Sequence, residues 1–244
     1  MQATSGRKAD AFARQILATC GPDLPKSAAQ LDVLDLGSGY GATAAALAER
    51  CRSVVGLEPM PELHKASLRL GEGISNLTFR QGGVEQLDEV EAYDLVVLDN
   101  VFEHLPDQCE ALRRIDRALR PGGVVYLLVP NRLWPVEVHY GLPFLSWLPL
   151  SWANRYLRLS GRGEDYTDAS YAPTRWGLNR ALRAHPNWSW RYTLPGDPSA
   201  TRAGTPAHYR IGMAALRGVP ALWVVSKAFL VVAVKDRRKA MPGR

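Results

Sequence analysis

The chain has 244 residues, of which 46% are hydrophobic and 22% are charged, with a net charge of +6 at pH 7. The length suits one packed α/β domain with an inserted cap, and the composition excludes a chain too polar to bury a core. The charge favours an anionic partner such as nucleic acid, a phosphorylated substrate or a membrane surface, although a solvated basic surface is the simpler explanation.

The cysteines and the first residues indicate a compartment. Cys20, Cys51 and Cys109 are scattered without C-x-x-C spacing. This argues for a reducing compartment and against both a disulfide framework and a zinc site. The positive charges near the start are not followed by an apolar run, so they are not a secretory signal. These features together predict a cytoplasmic protein.

The first predicted elements are a helix and a connector. Residues 7–19 predict a helix with one apolar edge formed by Phe12, Ile16 and Leu17. Residues 21–30 carry two prolines and a polar cluster, which is typical of a connector into the next strand.

A glycine-rich loop follows the first predicted strand. The apolar run 31–36 leads directly into Gly37, Gly39 and Gly41, and residues 42–50 are rich in alanine. This pattern predicts a strand, a tight turn and a helix. It lacks the G-x-G-x-x-G spacing that binds a pyrophosphate on a helix N-terminus. The loop alone is compatible with a ligand site or with an ordinary tight turn.

An acidic residue at the end of the second strand favours the ligand site. Residues 52–57 predict a strand that ends in Glu58, 17 positions after Gly41, and Pro59 and Met60 follow it. A carboxylate at this place in a β-α-β unit can accept hydrogen bonds from both hydroxyls of an unphosphorylated ribose.

The alternation of strands and helices continues through the first half of the chain. The predicted elements are a helix over 61–70, strands over 76–80 and 94–98, a helix over 106–119, a turn at Pro121-Gly-Gly123 and a strand over 124–129. Five strand–helix repeats predict a doubly wound parallel sheet.

Four segments in this order resemble the class I S-adenosylmethionine-dependent methyltransferases. They are residues 33–41, 54–59, 94–105 and 119–130, and the resemblance is strong over 31–130. It implies an α/β, Rossmann-like, doubly wound seven-stranded sheet with the last strand antiparallel. It also implies methyl transfer from S-adenosyl-L-methionine.

The resemblance assigns a set of cofactor-binding residues. They are Asp35, Gly37, Ser38, Gly39, Tyr40, Gly41, Glu58, Pro59, Met60, Gly83, Val84, Glu85, Asp99 and Asn100. Relatives usually place an acid where this chain has Gly83, so recognition of adenine falls to the backbone near Val84 or to Glu85. Asn100 is expected near the methionine part of the cofactor.

The composition changes at Pro130, where residues 131–173 are interpreted as an aromatic, substrate-facing cap. A short helix is expected over 149–160. Its predicted apolar face consists of Trp152, Tyr156 and Leu159. Its predicted basic face consists of Arg155 and Arg158. The arginines can hold a phosphate or carboxylate, although simple exposure to solvent is the plainer alternative.

Two histidines are candidate catalytic bases, because methyl transfer to oxygen or nitrogen often requires removal of a proton. His139 is the first candidate and His104 the second, and each is alternatively a hydrogen-bonded packing residue. Some quinone-biosynthesis O-methyltransferases bind a divalent metal through an acid-x-x-Glu-His segment. Here Asn100 replaces the first acid before Glu103 and His104, so one acidic ligand is missing. Imidazole and carboxylate can still bind a metal, but the preferred interpretation is that the pair caps a helix and orients the cofactor, and no metal is predicted.

The last quarter of the chain predicts a helix over 174–184, a strand over 188–194, a helix over 208–227 that Pro220 breaks, and a final strand over 229–234. The apolar run 219–234 contains a lysine and is too short for a confident transmembrane helix.

This end of the chain also suggests a surface that rests on anionic lipid, with core packing as the alternative. Its apolar members are Met213, Leu216, Leu222, Trp223 and Val224. Its basic members are Arg202, Arg210, Arg217, Arg237, Arg238 and Lys239.

The sequence therefore predicts a single methyltransferase domain over 1–244. Its parts are an N-terminal helix and connector (1–30), a cofactor-binding core (31–130), the cap (131–173) and C-terminal helices and strands (174–244). The expected acceptor is a small-molecule, lipid-linked or glycan-linked compound that is methylated on oxygen, and the protein is cytoplasmic or peripheral at the inner face of the membrane.

Two alternatives remain at this point. A nucleic-acid methyltransferase is disfavoured because the chain lacks an Asn/Asp-Pro-Pro-Tyr/Phe motif and its arginines are dispersed. The other alternative is a noncatalytic cofactor-binding or membrane scaffold protein. The intact glycine loop and Glu58 argue against loss of cofactor binding, but they leave loss of catalysis open. The sequence does not specify the oligomeric state.

Overall fold

The computed structural model describes residues 2–195 and 207–237. Its centre is a seven-stranded sheet in the order β3-β2-β1-β4-β5-β7-β6. The strands are β1 (Asp32–Leu36), β2 (Ser53–Glu58), β3 (Leu77–Gln81), β4 (Tyr93–Asp99), β5 (Leu119–Pro130), β6 (Trp188–Thr193) and β7 (Ala228–Lys235). The helices are α1 (Gln2–Cys20), α2 (Ala42–Ala48), α3 (Pro61–Gly71), α4 (Gln108–Ala118), α5 (Leu150–Leu159), α6 (Arg175–Arg183) and α7 (Ala207–Gly218).

The directions of the strands confirm the predicted architecture. Strands β1 to β5 pair in parallel, and β7 runs antiparallel to both β5 and β6. Leu36 at the end of β1 lies beside Leu57 of β2 and Leu98 of β4. The carboxyl ends of these three strands therefore meet at one edge, where ligands of open α/β sheets bind.

Burial on both faces explains why the central strands read as continuous apolar runs. Val33 packs with Ile16 of α1 and Leu47 of α2 on one face of the sheet. Leu34 packs with Leu112 of α4 on the other face. Strands covered by helices on both sides are a property of parallel sheets.

Two local features differ from the predicted repeats. The crossover from β3 to β4 contains only a 3-10 turn, Val84–Gln86. The Pro121-Gly-Gly123 segment is a bulge inside β5, because Tyr93 pairs with Leu119 and Leu95 already pairs with Val124. Gly122 has a φ of +81°, which allows the bulge to form without ending the strand.

The cap has a small core of its own, and it buries a different side of α5 from the apolar face that the sequence indicated, of which only Tyr156 packs against this core. Ala153 and Leu157 are buried with Leu145 and Tyr166 of the cap. Trp152 and Leu159, by contrast, are 71% and 79% exposed. The two apolar patterns on this helix are offset by one residue, and the cap buries the one with smaller side chains. Arg155 and Arg158 are exposed, as the plainer alternative expected.

The C-terminal segment breaks at Pro220, as predicted: α7 ends at Gly218 and a 3-10 turn, Pro220–Val225, follows it. Trp223 is buried and its ring lies 5.7 Å from that of Tyr192, so its proposed contact with lipid is wrong and the core-packing alternative holds for it. Arg202, Arg238 and Lys239 lie outside the described residues. None of the helices in 2–195 and 207–237 is long and apolar enough to cross a membrane.

Candidate functional site

The glycine loop between β1 and α2 is held by hydrogen bonds to β2. The amides of Gly37 and Ser38 donate to the Leu57 carbonyl at 2.7 and 3.1 Å, and the amide of Gly39 donates to Oε2 of Glu58 at 2.8 Å. These amides are therefore engaged within the protein. The loop differs in this respect from a phosphate-binding loop, whose free amides point at an anion.

The loop leaves open space at one glycine and none at another. Gly37 has a φ of +71°, and a β-carbon there would lie 2.4 Å from Cγ2 of Val101, so this position requires glycine. No heavy atom lies within 4 Å of the β-carbon position at Gly39. The Ser38 hydroxyl faces Gly56 of β2, and Tyr40 is 68% exposed. Gly39 is therefore the open point of the loop.

Glu58 connects the loop to the end of β2. Its carboxylate is buried and accepts the amides of Gly39 at 2.8 Å and Met60 at 2.9 Å, one on each oxygen. Each oxygen keeps a lone pair after these bonds. The carboxylate is thus fixed before any ligand arrives, with Pro59 and Met60 exposed beside it. This arrangement suits the predicted contact with a ribose diol.

Two further carboxylates lie at the same edge without a cationic partner. Burial, with the charges of Asp99 and Glu58, raises the pKa of Asp35 to about 8. Burial raises the pKa of Asp99 to about 6, although a hydrogen bond from Asn100 opposes the shift. Across residues 2–195 and 207–237, no lysine or arginine forms an ion pair with these three acids. A ligand with positive charge fits this edge because it would offset their mutual repulsion.

The predicted adenine contact lies in the 3-10 turn after β3. The Gly82 amide donates to the Glu58 carbonyl at 3.0 Å, which places the turn beside the end of β2. The Val84 side chain is buried in the main core, whereas Glu85 is exposed and its carboxylate lies over the α-carbon of Gly83. The residues open to a ligand here are therefore Glu85 and the backbone at Gly83.

The segment after β4 turns sharply at Asn100. This residue has a φ of +52°, its amide donates to the Leu128 carbonyl at 2.9 Å, and its side chain donates to Asp99 at 2.8 Å. The chain then forms a 3-10 turn, Phe102–His104. The backbone at Asn100 thus directs the next residues over the carboxyl edge of the sheet.

The structure brings Glu103, His104 and His139 together. Oε1 of Glu103 lies 3.9 Å from Nε2 of His104 and 3.8 Å from Nε2 of His139. The two imidazole rings are 5.3 Å apart at an angle of 74°. The sequence presented these histidines as separate candidates, and the fold of the cap places them in one cluster.

Two carboxylates orient these rings, and sequence analysis gave neither a role. Glu137 accepts a hydrogen bond at 2.7 Å from Nδ1 of His139 and also accepts the amides of His139 and Tyr140. Asp168 lies with Oδ2 3.0 Å from Nδ1 of His104. The Glu-x-His spacing was a usable signal for Glu137. No local pattern indicates that Asp168 meets His104, 64 positions away.

These contacts set the ionisation of the cluster. The hydrogen bond to Glu137 raises the pKa of His139 above its usual range, while burial opposes the change. Burial works against ionisation of Glu137, but its hydrogen bond with His139 and the backbone amides keeps its pKa below the usual value. Burial raises the pKa of Glu103 to about 7, and neither of its oxygens has a hydrogen-bond partner.

The chain matches the family model described as a methyltransferase domain over residues 5–187. Among curated proteins it is similar to the ubiquinone biosynthesis O-methyltransferases of Acinetobacter baumannii, at 32% identity over 108 residues, and Pseudomonas aeruginosa, at 36% over 104 residues. Each alignment covers 41% of this chain and 44% of the relative, so the chain matches less than half the length of these proteins.

Solved structures share the fold at low identity. The YcgJ protein of Bacillus subtilis matches with a TM-score of 0.58 at 17% identity, over 93% of this chain and 99% of that one. An S-adenosylmethionine-dependent methyltransferase from Mesorhizobium loti matches with 0.57 at 16%, over 89% and 96%. The plantazolicin methyltransferase BpumL in complex with SAH matches with 0.57 at 14%, over 97% and 86%.

Proposed function

The chain belongs to the methyltransferase domain family and is a class I S-adenosylmethionine-dependent methyltransferase, and from this premise we propose that it methylates a hydroxyl oxygen of a small-molecule acceptor. The observation that carries the proposal is the position of the Glu103, His104 and His139 cluster directly after the carboxyl end of β4. This edge of the sheet is where the cofactor binds in open α/β folds.

The residues at the carboxyl edge fit the cofactor. When bound, S-adenosylmethionine supplies a methyl group on a positively charged sulfur, which makes it electrophilic. Glu58 would hold the ribose hydroxyls, and Gly39 leaves room for the backbone to approach the ligand. Asp35, with one buried oxygen lacking a partner, and Asp99 would face its positive charges.

We assign proton uptake from the acceptor to His139, with His104 as the second candidate. Nδ1 of His139 is bonded to Glu137, which fixes the ring and leaves Nε2 facing the cluster. An imidazole held by a carboxylate in this way is oriented for general-base catalysis. Replacing His139 with alanine should therefore lower turnover, and turnover near that of the wild type would remove this assignment.

The acceptor class rests on the relatives and on the cap. The curated relatives are named ubiquinone biosynthesis O-methyltransferases, which favours a hydroxylated small molecule for this chain as well. Four large apolar side chains of the cap are exposed, namely Phe144, Trp147, Trp152 and Leu159. Arg155 is also exposed and follows Trp152 by three positions on the same helix. Aromatic and basic side chains of this kind suit a lipid interface, so we favour a lipid-linked acceptor over a glycan-linked one.

Lipid association is tested by flotation with anionic and neutral vesicles. We expect the wild-type protein to float with anionic vesicles at low salt, and a Trp152→Glu, Leu159→Glu variant to float much less. Recovery of all the wild-type protein in the soluble fraction would contradict the lipid part of the proposal and leave a freely diffusing acceptor.

The catalytic proposal is tested with a labelled methyl donor and a panel of hydroxylated acceptors, with and without isoprenoid tails. A labelled ether product is expected. Retention of the protein on nucleic acid at about 0.15 M salt, where phosphate contacts are weakened, would instead favour nucleic-acid methylation. Cofactor binding without any labelled product would favour the noncatalytic alternative.

A further inference from the structure

The cluster of Glu103, His104 and His139 has the chemistry of a metal centre. Its three ligand atoms lie within 4.8 Å of one another, and they belong to two imidazoles and one carboxylate. From this geometry we propose that the cluster binds one divalent first-row transition metal ion, with zinc as the type case.

The strongest support is the state of Glu103. Its side chain is fully buried, yet neither carboxylate oxygen has a hydrogen-bond partner. A buried polar group in this condition is costly unless something compensates it. The backbone amide of Glu103 favours the charged form of its carboxylate, and the nearby acids Asp99 and Asp168 oppose it. The Nε2 atoms of His104 and His139 face the carboxylate at 3.9 and 3.8 Å. A cation between them would satisfy all three groups at once.

The outer contacts are those that metal-binding histidines require. Nδ1 of His139 is bonded to the buried carboxylate of Glu137 at 2.7 Å. Nδ1 of His104 lies 3.1 Å from the backbone carbonyl of Asp168 and 3.0 Å from the exposed carboxylate of the same residue. A carboxylate on Nδ1 fixes the ring and leaves the Nε2 lone pair available for a metal. Both rings therefore have an acceptor on Nδ1 and direct Nε2 at the same buried carboxylate, although the contact to Glu137 is the more buried of the two.

The ligand set also selects the ion. Imidazole nitrogen with one carboxylate suits zinc, iron, nickel or copper, whereas magnesium and calcium prefer oxygen ligands alone. A zinc tetrahedron has edges of about 3.3 Å, so the partly exposed imidazoles must move inward on binding. Three protein ligands leave a fourth position for water or an acceptor oxygen.

This inference rests on the proposed function, because the open coordination position of the metal lies beside Nε2 of His139, where we place the hydroxyl group of the acceptor. A metal there occupies Nε2 of His139 and would take over activation of the acceptor hydroxyl, since a bound cation lowers the pKa of an oxygen ligand. From the sequence, a metal at Glu103 and His104 was the less favoured alternative. The structure supplies a ligand from the cap, His139, which is 36 positions beyond Glu103 and belongs to no local motif.

The test is calorimetric titration of chelator-treated protein with zinc, in the absence of cofactor and acceptor. Cys109 is exposed and can bind zinc independently, so a Cys109→Ser background is used throughout. We expect one zinc per chain. Glu103→Gln should lose this binding, and Glu137→Gln should weaken it by roughly 10–100-fold because it removes only an orienting contact.

His64→Ala is the matched control, because it removes a histidine of α3 that is not in the cluster, and its zinc affinity should equal that of the parent. Circular dichroism checks that each variant is folded. X-ray absorption at the zinc edge provides a measurement on the unmutated cluster, with two imidazoles per zinc expected. Equal affinity in Glu103→Gln and the parent, or zinc without imidazole ligands, would overturn the proposal.

The two proposals fail in different ways. Binding of S-adenosylhomocysteine without stoichiometric zinc would remove the metal centre and leave His139 as the base. Stoichiometric zinc without cofactor binding would support the metal centre and contradict the proposed function.

Discussion

Strands β1 and β4 carry acids at both ends, but only the acids at the amino ends have cationic partners in the described chain. At the amino ends, Asp32 forms ion pairs with Arg52 and Arg120, and Asp94 forms ion pairs with Lys26 and Arg120. At the carboxyl ends, Asp35 and Asp99 have no such partner in the described chain, and burial raises their pKa values.

This difference separates structural charges from functional ones on the same strands. A buried acid with cationic partners is explained by the fold, whereas a buried acid without one costs stability and needs another explanation. Here the explanation is a ligand that brings positive charge. The comparison therefore makes opposite predictions for substitutions at the two edges.

The largest effect is expected for activity at the carboxyl edge. His139→Ala should lower kcat by about 10²–10⁴-fold, because the acceptor hydroxyl loses its activation whether His139 acts as the general base or as a ligand of the proposed metal. The free energy of unfolding of this variant should fall by about 1–3 kcal/mol, because the buried carboxylate of Glu137 loses one hydrogen bond but keeps those from two backbone amides. Steady-state kinetics with the identified acceptor and urea unfolding measure the two quantities. His64→Ala serves as the control, and a similar loss in both variants would contradict a specific role for His139.

The next largest effect is on stability at the amino edge. Asp94→Ala removes the shared partner of Lys26 and Arg120 and leaves the Asp32 amide without its acceptor. Lys26 and Arg120 are 36% and 30% exposed and can be solvated, so the main cost is the amide of Asp32 left without an acceptor. The free energy of unfolding should fall by about 1–3 kcal/mol. Cofactor affinity of the folded protein should be unchanged in calorimetry. A variant as stable as the wild type would show that these pairs do not hold the sheet.

A smaller effect of opposite sign is expected at Asp35. Asp35→Asn removes a buried, unpartnered carboxyl group and should raise the free energy of unfolding at pH 7 by on the order of 1–2 kcal/mol. The same change should weaken binding of S-adenosylmethionine about tenfold, since the positive ligand loses a counter-charge. Urea unfolding and calorimetry check both results. Reduced stability with unchanged affinity would place Asp35 among the structural acids.

The smallest effect is a change in how stability depends on pH. The raised pKa of Asp35 means that the folded state binds its proton more tightly, so this group costs progressively more stability as pH rises from about 4 to about 8. The hydrogen bond from Arg52 lowers the pKa of Asp32, so this group contributes stability above pH 4 that is lost as pH falls. Asp35→Asn should flatten the first slope and Asp32→Asn the second. Equal pH profiles for the two variants would contradict the comparison.

The strands were predictable because burial on both faces of a sheet constrains short segments of sequence. Burial on both faces produces apolar runs such as 94–98, and the observed β4 (Tyr93–Asp99) extends that prediction by one residue at each end. The glycine loop and Glu58 were predictable because backbone geometry and a fixed turn require these residues at fixed spacing.

The contacts within the cap were not predictable from the sequence. The sequence does not specify which of two overlapping apolar patterns α5 buries, because the choice depends on Leu145 and Tyr166 packing from other parts of the cap. The cluster of Glu103, His104 and His139 forms for a similar reason. It depends on residues far apart in the chain meeting above the sheet, which no local period encodes.

The central claim is that the unpaired acids at the carboxyl edge hold S-adenosylmethionine. Calorimetry of the wild-type protein with S-adenosylmethionine and S-adenosylhomocysteine, each repeated on Asp35→Asn, tests it most directly. We predict one site per chain for both ligands, with Asp35→Asn weakening the binding of the charged donor more than that of the neutral-sulfur product. Absence of binding to either ligand, or an equal loss for both in Asp35→Asn, would contradict this account.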